Sequence, residues 1–457
     1  MIRPISAALI ILLLAFLSSS YWLGLNAKEH LDLTARVLED SGYTVGDRTY
    51  QRGILSGHSF ARIGLPGINS VVIEARSKVF HGPLPVLAWF NGIYEIKPVR
   101  AVITTELSFP RDSTVPKALR ELPPVTATTR IELSGACSTH FYAPPASSSR
   151  VKWQGISGKM EVERDFGGFS LLLKSPGFTL NTRGSSIALT HIETSATMKR
   201  GFQDLYYYVG ESSFNVGNVL LEPRGDTIPQ VSMENAGFRI FTDINKGDIK
   251  TEVSARAEEA SVGENLLGSF ELLASTLGID AEAYREFLIE LRVSRSAGRD
   301  SFTELAARLA PLVPNFLKKS PGFEIEKIGF LTPQGEIKGR IKLLVDSSGF
   351  GIPHGLLSLI PALSLDAGFE VPKDFLIPLL VRSAKEKLKE AKEKGLLEAN
   401  ADIDELARET VDENLEKLLS ERLILEEDGV LKTELSLRRG TLTVNGRITP
   451  LPLKRLP

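Results

Sequence analysis

The chain opens with an apolar segment that begins at Ile5 and ends at Leu25. It reads ISAALIILLLAFLSSSYWLGL and contains no charged residue. At about 1.5 Å of rise per residue, a helix of this length covers about 30 Å, the thickness of the hydrocarbon core of a bilayer. The segment therefore predicts one N-terminal transmembrane helix. No later stretch is apolar for long enough to predict a second one.

The charges around this segment predict its orientation. Arg3 precedes the segment, whereas Lys28 is followed closely by acidic residues, so the excess of positive charge lies on the N-terminal side. The positive flank of a membrane helix faces the cytoplasm. We therefore expect a single pass through a bacterial inner membrane, with the body of the protein in the periplasm. A signal peptide cleaved near the serines at 18–20 is the alternative.

Polar and apolar residues alternate through much of residues 27–260. Residues 71–79 and 99–107 are two clear examples, with every second position apolar. This period is typical of strands that bury one face and expose the other, as antiparallel sheets do. The tetrapeptide Asn245-Lys246-Gly247-Asp248 separates two such runs and has the composition of a tight hairpin turn. These patterns predict a mainly antiparallel β region.

Helical periodicity is confined to two later segments. Tyr284, Phe287 and Leu291 share a helix face in the first, and Ile403 and Leu406 do so in the second. The predicted fold class is α+β, with helices packed on a large curved antiparallel sheet that follows the N-terminal transmembrane helix. The predicted order is an anchor at 1–26, β structure at 27–260, a helical segment at 261–321, a β hairpin and loop at 322–371, a helical segment at 372–424 and a β hairpin at 425–457.

Composition excludes several classes of protein. The 457 residues are 42% hydrophobic and 24% charged, as in ordinary globular proteins, and the net charge of −2 gives no basic field for nucleic acid. Cys137 is the single cysteine, which excludes an intrachain disulfide and a cysteine-rich metal site. An exported chain without disulfides fits a bacterial envelope. We expect no metal, no cofactor and no nucleic-acid partner.

The sequence also lacks the motifs of common catalytic sites. It contains no Walker A sequence, no HExxH, no GxSxG and no EF-hand loop. Cys137 has His140 nearby, but an odd spacing along a strand places the two side chains on opposite faces. The other histidines considered show no i,i+4 pairing typical of a metal site, namely His58, His81, His191 and His354. We predict no catalytic residue.

Four short motifs occur in a fixed order along the chain. They are Tyr50-x-Arg52-Gly53-Ile54-Leu55-Ser56, His81-Gly82-Pro83-Leu84, Leu331-Thr332-Pro333-Gln334-Gly335-Glu336 and Leu442-Thr443-Val444-Asn445-Gly446. With these motifs the chain resembles the YdgA-like family of bacterial envelope proteins, a domain of unknown function, over nearly its whole length. It departs from the family pattern at Ile54 and Gly57, where the family usually has an aromatic residue and a serine. In overall plan it is also similar to AsmA-like envelope proteins.

The resemblance implies an N-terminal anchor, a periplasmic body and no catalytic residue to carry over. The likeness to AsmA-like proteins implies a groove lined with apolar side chains. We interpret the motif positions as structural. Gly53 and Gly446 are expected in hairpin turns, Pro83 and Pro333 at strand ends or turns, and His81 in a hydrogen bond across a loop. The remaining motif positions with this interpretation are Tyr50, Ser56, Gly82, Gly335 and Asn445.

Three functions are compatible with these observations. The leading hypothesis is a non-enzymatic, membrane-anchored envelope protein whose sheet binds or shelters an apolar ligand such as lipid. The alternative is a structural module that positions a partner complex at the inner membrane. A hydrolase with an unrecognised site is the third. An open apolar concavity in the sheet favours the first hypothesis, a fully covered sheet the second, and a cleft that joins a nucleophile to a base the third.

Overall fold

The computed structural model describes residues 2–65, 71–148, 150–223, 229–263, 265–296, 308–345, 362–394 and 401–449. Within these ranges, the side chains of residues 2–12, 118, 265, 294–296 and 393 are not described. The chain divides into two units, Met1–Gln230 and Val231–Pro457. Each unit contains an antiparallel sheet, and strands predominate over helices in both. The α+β prediction is confirmed at this level.

The first unit begins with a long helix, α1 (Ile2–Asp40). The sequence predicts an anchor at 1–26 and β structure from residue 27, but α1 joins the anchor segment and residues 27–40 in one helix without a break. No Gly or Pro lies between them to end the first helix, and Leu23, Ala27 and Ala35 are all buried along one continuous face. Within the part of the chain that the structure describes, no helix combines the length and apolar character of a membrane span. The side chains of residues 2–12, at the start of the predicted segment, lie outside that part.

All the strand pairs described in the first unit are antiparallel. The strands are β1 (Thr44–Arg52), β2 (Ser56–Gly64), β3 (Val72–His81), β4 (Val99–Ser108), β5 (Val125–Glu132), β6 (Cys137–Ala143), β7 (Ala146–Ser147), β8 (Val151–Trp153), β9 (Ile156–Val162), β10 (Gly168–Asn181), β11 (Ser185–Arg200) and β12 (Tyr208–Pro223). Short helical turns occur at Val86–Trp89, Lys117–Arg120 and Arg164–Phe166. The sheet order is β1-β2-β3-β4-β5-β6-β9-β10-β11-β12, and the β7–β8 hairpin extends the sheet beside the end of β10.

The core of the first unit lies between α1 and one face of this sheet. Val79, Ala101, Ile103 and Ile131 come from neighbouring strands and are almost fully buried against Ala27 of α1. Leu31, Leu33 and Val37 of the helix complete the cluster. The alternation seen in the sequence therefore places one residue of every two under the helix.

Within its described residues, the second unit is a sheet with three helices of more than two turns. Its elements are β13 (Val231–Asn245), β14 (Asp248–Val262), β15 (Asn265–Leu277), β16 (Ile279–Asp280), α2 (Ala281–Ser296), β17 (Gly322–Thr332), β18 (Gly335–Val345), β19 (Leu363–Pro372), α3 (Lys373–Glu393), α4 (Ile403–Ser420), β20 (Leu425–Glu427), β21 (Val430–Arg438), β22 (Thr441–Val444) and β23 (Arg447–Thr449). Shorter helical turns span Ala310–Leu312 and Val313–Leu317. The sheet order is β13-β14-β15-β17-β18-β19-β21-β22-β23, with β16 beside β14 and β20 beside β21.

The structure corrects the prediction for residues 261–321. The first part of this segment is β15, not helix, and α2 begins only at Ala281, where the Asp280 carboxylate accepts a hydrogen bond from the backbone N–H of Ala283 at 2.9 Å. The pattern misleads because β15 is rich in Leu, a good helix former, while its pairing with β14 and β17 fixes it as a strand. Residues 322–371 also contain a third strand, β19, beyond the predicted hairpin. The Asn245–Asp248 hairpin is confirmed.

Candidate functional site

The motif residue His81 lies buried at the end of β3, where it joins two other parts of the first unit. Its Nδ1 is 2.9 Å from the carbonyl oxygen of Ile54, and its Nε2 is 3.0 Å from the hydroxyl of Tyr50. Because a carbonyl only accepts, Nδ1 carries the proton and Nε2 accepts from the tyrosine. Burial lowers the pKa of His81, against the opposing effect of the Ile54 hydrogen bond. Burial also raises the pKa of Tyr50, so both groups are neutral at pH 7.

Helix α1 packs directly on this histidine. A Cβ atom on Gly24 would lie 2.6 Å from Cε1 of His81, so only glycine allows the helix to approach so closely. The Ser20 hydroxyl donates a hydrogen bond to the carbonyl oxygen of Gly82. At the next residue of the helix, the Arg52 guanidinium lies 4.1 Å from the centre of the Tyr21 ring and donates to its hydroxyl. The first two motifs therefore bind α1. The sequence analysis did not identify their partners on the helix, Ser20 and Gly24.

The other motif positions in the first unit shape the turns around His81. The backbone N–H of Gly53 donates to the carbonyl of Ser56 at 2.7 Å and closes the β1–β2 hairpin. The N–H of Gly82 donates to the carbonyl of Arg100 at 2.8 Å, and Pro83 follows where β3 has ended. A Cβ on Gly82 would collide with the β4 backbone.

The last two motifs lie in turns of the second unit. Pro333 and Gln334 form the β17–β18 turn, and Gly335, with a φ of 134°, is the first residue of β18. Thr332 donates its hydroxyl to the Gly335 carbonyl at 2.7 Å. Asn445 and Gly446 form the β22–β23 turn, and both have positive φ. The Asn445 side chain also accepts from the backbone of β21 and donates to the chain after α4. None of these hydrogen bonds involves His81.

Cys137 lies next to His30, a histidine that the sequence analysis did not consider. Its Sγ lies 3.3 Å from Nε2 of His30 on α1, whose ring stacks on Phe166 at 5.2 Å between centroids. Burial raises the pKa of the Cys137 thiol to about 12. Burial, together with the nearby Arg100, lowers the pKa of His30 to about 4. The pair is therefore a neutral thiol and a neutral imidazole, the opposite of the thiolate that nucleophilic catalysis uses.

A cavity of about 570 Å³ lies on the sheet face of the first unit opposite α1. It is formed by β1 to β4 and by Asn91 and Ile93 of the β3–β4 connection. Charged and polar side chains, including His58, Arg76 and Lys78, alternate with Phe60 and Phe80 in its lining. This mixed lining does not provide the apolar concavity that the sequence predicts.

An apolar surface lies on one face of the second unit's sheet. The strand registers place one apolar residue from each of seven strands in a single row across the sheet: Val253, Ala274, Ile325, Ile341, Ala367, Leu435 and Val444. A second row runs parallel to it: Phe323, Leu343, Leu365, Leu437 and Leu442. We call these residues the apolar face.

The opposite face of the same strands is charged. Lys327 pairs with Glu271 at 2.7 Å, and Lys342 pairs with Glu324 at 3.3 Å, both across neighbouring strands. Further along, Arg340 pairs with Glu434. The second unit therefore separates apolar from charged side chains as fully as a core-forming sheet does.

The apolar face is nevertheless incompletely covered. Its large side chains at Ile325, Ile341 and Leu365 are only partly buried, and Phe323 is 42% exposed. In the first unit, by contrast, Ile131 beneath α1 is 1% exposed. The described helix α3 continues directly from β19 and packs mainly on α4. Part of the apolar side chains in the two rows therefore remains accessible on this face.

Comparison with known proteins assigns the family. A family model described as a bacterial protein of unknown function (DUF945) matches residues 3–452. The chain belongs to this family. The match covers both units of this DUF945 chain and all four motifs, and it is consistent with the resemblance to the YdgA-like family. No curated protein and no solved structure matches the chain significantly.

Proposed function

We propose that this DUF945 protein is a non-enzymatic, membrane-anchored envelope protein that shelters an apolar ligand, such as a lipid acyl chain, on the apolar face of its second unit. The observation that carries the proposal is that two rows of apolar side chains are matched across neighbouring strands and that all of them except Ala367 and Val444 remain partly exposed. A monomer rarely leaves a large contiguous apolar surface open unless something binds there.

The anchor is the second part of the proposal. The apolar segment from Ile5 to Leu25 has the length of a membrane span, and the charge on its N-terminal side orients the body toward the periplasm. Trp22 and Tyr21 are exposed near its C-terminal end, where aromatic side chains favour the membrane interface. These features support a single-pass protein of the inner membrane, beside a source of lipid.

The energetics of such a site need no catalytic or charged group. Burial of apolar surface contributes about 25 cal/mol per Å², and an acyl chain gains about 0.8 kcal/mol for each buried methylene. Roughly ten buried methylenes therefore contribute about 8 kcal/mol before the loss of ligand freedom is subtracted. Open rows of Leu, Ile and Phe are sufficient for this interaction.

Leu343 and Leu344 provide a matched test, because neighbouring residues of β18 point to opposite faces. Leu343 belongs to the apolar face, and Leu344 to the charged one. Purified full-length Leu343→Asp is expected to retain several-fold less lipid than Leu344→Asp, measured by mass spectrometry of the copurifying lipids. A buried carboxylate on the apolar face would repel an acyl chain because its ionised form has to be desolvated.

Circular dichroism of both variants controls for folding. Equal lipid content in two folded variants would contradict the proposal. If the wild-type chain itself carries no lipid, the apolar-ligand function is wrong, and the alternative of a module that positions a partner complex takes its place.

A further inference from the structure

The point at which α1 leaves the body of the first unit is surrounded by exposed apolar side chains. Ser20 is the first buried residue among the described side chains of the helix, and Leu13 and Leu14 before it are exposed. The Gly82 carbonyl, which binds Ser20, starts the connection between β3 and β4. In this connection Phe90 is 88% exposed. Tyr94 and Ile96 follow, each 79% exposed.

The hairpin between β1 and β2 adds a further apolar side chain at the same end of the sheet. Ile54 at its tip is 54% exposed, while its carbonyl binds the His81 ring on which Gly24 packs. The N–H of His81 also donates to the carbonyl of Leu55 at 2.9 Å, which joins the hairpin to the end of β3. Trp22 on α1 is 60% exposed at the same level. We call Trp22, Ile54, Phe90, Tyr94 and Ile96 the rim.

Phe90, Tyr94 and Ile96 are the exposed apolar side chains of the β3–β4 connection, whose fold is held by several hydrogen bonds. The indole N–H of Trp89 donates to the carbonyl of Glu95 at 2.9 Å, and the N–H of Ile93 donates to the carbonyl of Ala88 at 3.0 Å. Glu95 pairs with Arg130 of β5 at 3.3 Å, on the sheet face opposite α1. The helix and the connection therefore lie on opposite faces of one sheet end, and the rim extends to both sides of it.

We propose that the rim is a membrane-contacting surface, which inserts into the interfacial region of the same bilayer that α1 enters. The occupant is a lipid surface because the rim lies at the end of the sheet from which the apolar N-terminal segment of α1 extends, and large exposed aromatic and aliphatic residues near such a segment are typical of the membrane interface. Lys97, exposed next to Ile96, adds attraction for anionic headgroups. This inference rests on the anchor of the proposed function.

Contact with lipid also gives a role to the residues that hold α1 on the sheet. Gly24, His81 and Ser20 fix the angle between α1 and the sheet at the membrane surface. With the rim in contact with lipid, the first unit keeps one orientation relative to the membrane and does not rotate freely about a flexible linker.

Nitroxide labels on the full-length chain test the rim. Cysteines are introduced at Leu13 in α1, at Tyr94 and Ile96 in the rim, and at Arg183 in the turn after β10. The native Cys137 is buried and its thiol remains protonated, so it does not react with the label, and the labelled wild type checks this. The strand pairing places Val99, Glu132, Val162 and Phe169 at the same end of the sheet as the rim. The β10–β11 turn lies at the opposite end of β10, which is about 45 Å long.

The labelled proteins are reconstituted in vesicles of phosphatidylethanolamine and phosphatidylglycerol, and collisions with oxygen and with a water-soluble nickel complex are measured. We expect oxygen to dominate at position 13, water-like behaviour at position 183, and a several-fold lower nickel accessibility at positions 94 and 96 than at 183. Water-like values at 94 and 96 with a lipid-exposed position 13 would overturn the rim and leave the anchor intact. A water-exposed position 13 would overturn both.

Discussion

Replacement of Ile131 by alanine is expected to lower the free energy of unfolding of the first unit by about 2–5 kcal/mol. Ile131 is 1% exposed and lies in the cluster that α1 covers, together with Val79, Ile103 and Ala27. The loss combines the transfer of the removed carbons with the cavity that remains beneath the helix. The equivalent change in the second unit, Ile341→Ala, is expected to cost roughly 1 kcal/mol, because that side chain is already partly exposed.

Urea unfolding in detergent micelles measures this difference. The three tryptophans, Trp22, Trp89 and Trp153, all belong to the first unit, so their fluorescence follows that unit alone. Far-ultraviolet circular dichroism follows both units and reports Ile341→Ala. Equal losses in the two variants would show that the apolar face is an ordinary covered core, contrary to the structure described above.

The second large effect concerns pH. The pKa of His30 is lowered in the folded protein from 6.5 to about 4, mainly by burial. Above pH 6.5 the residue is neutral in both states and does not influence stability. As the pH falls, the unfolded chain binds the proton first, so stability decreases between pH 6.5 and about 4 and then levels off. The contribution of His30 to this decrease is expected to be about 3 kcal/mol in total.

A His30→Phe variant isolates this contribution. Phenylalanine retains an aromatic ring that can stack on Phe166 but cannot bind the proton. The pH dependence of its unfolding free energy is therefore expected to be shallower than that of the wild type over this interval. Identical slopes would show that His30 is protonated as readily in the folded protein as in the unfolded chain.

Much of the strand structure could be predicted because alternation records which face of a sheet is buried. The hairpin at Asn245–Asp248 has both signals, the alternating flanks and the turn residues, and it forms as expected. The strand β15 could not be predicted, because its leucines fit a helical pattern equally well. Only its pairing with β14 and β17 makes it a strand. The continuity of α1 was missed because its charged second half differs in composition from its apolar first half.

The contacts of the candidate sites could not be predicted in the same way. His81 is 57 positions from Gly24, and Cys137 is 107 positions from His30, so both contacts depend on where α1 lies on the sheet. The apolar face was partly foreseeable, since the sequence shows the alternation of β18. Whether helices cover that face is decided by the packing of α3 on α4, which the helical periodicity does not reveal.

The most direct test of the central claim is to map where a lipid acyl chain contacts the full-length protein. A phospholipid with a photoreactive diazirine in its acyl chain is included in the membrane, and the cross-linked residues are identified by mass spectrometry. Labelling of α1 serves as the internal control. In the second unit we predict cross-links at Ile325, Ile341 and Leu343, and none at their neighbours Lys342 and Leu344. Cross-links confined to α1, or spread equally over both faces of β18, would contradict a lipid-binding apolar face.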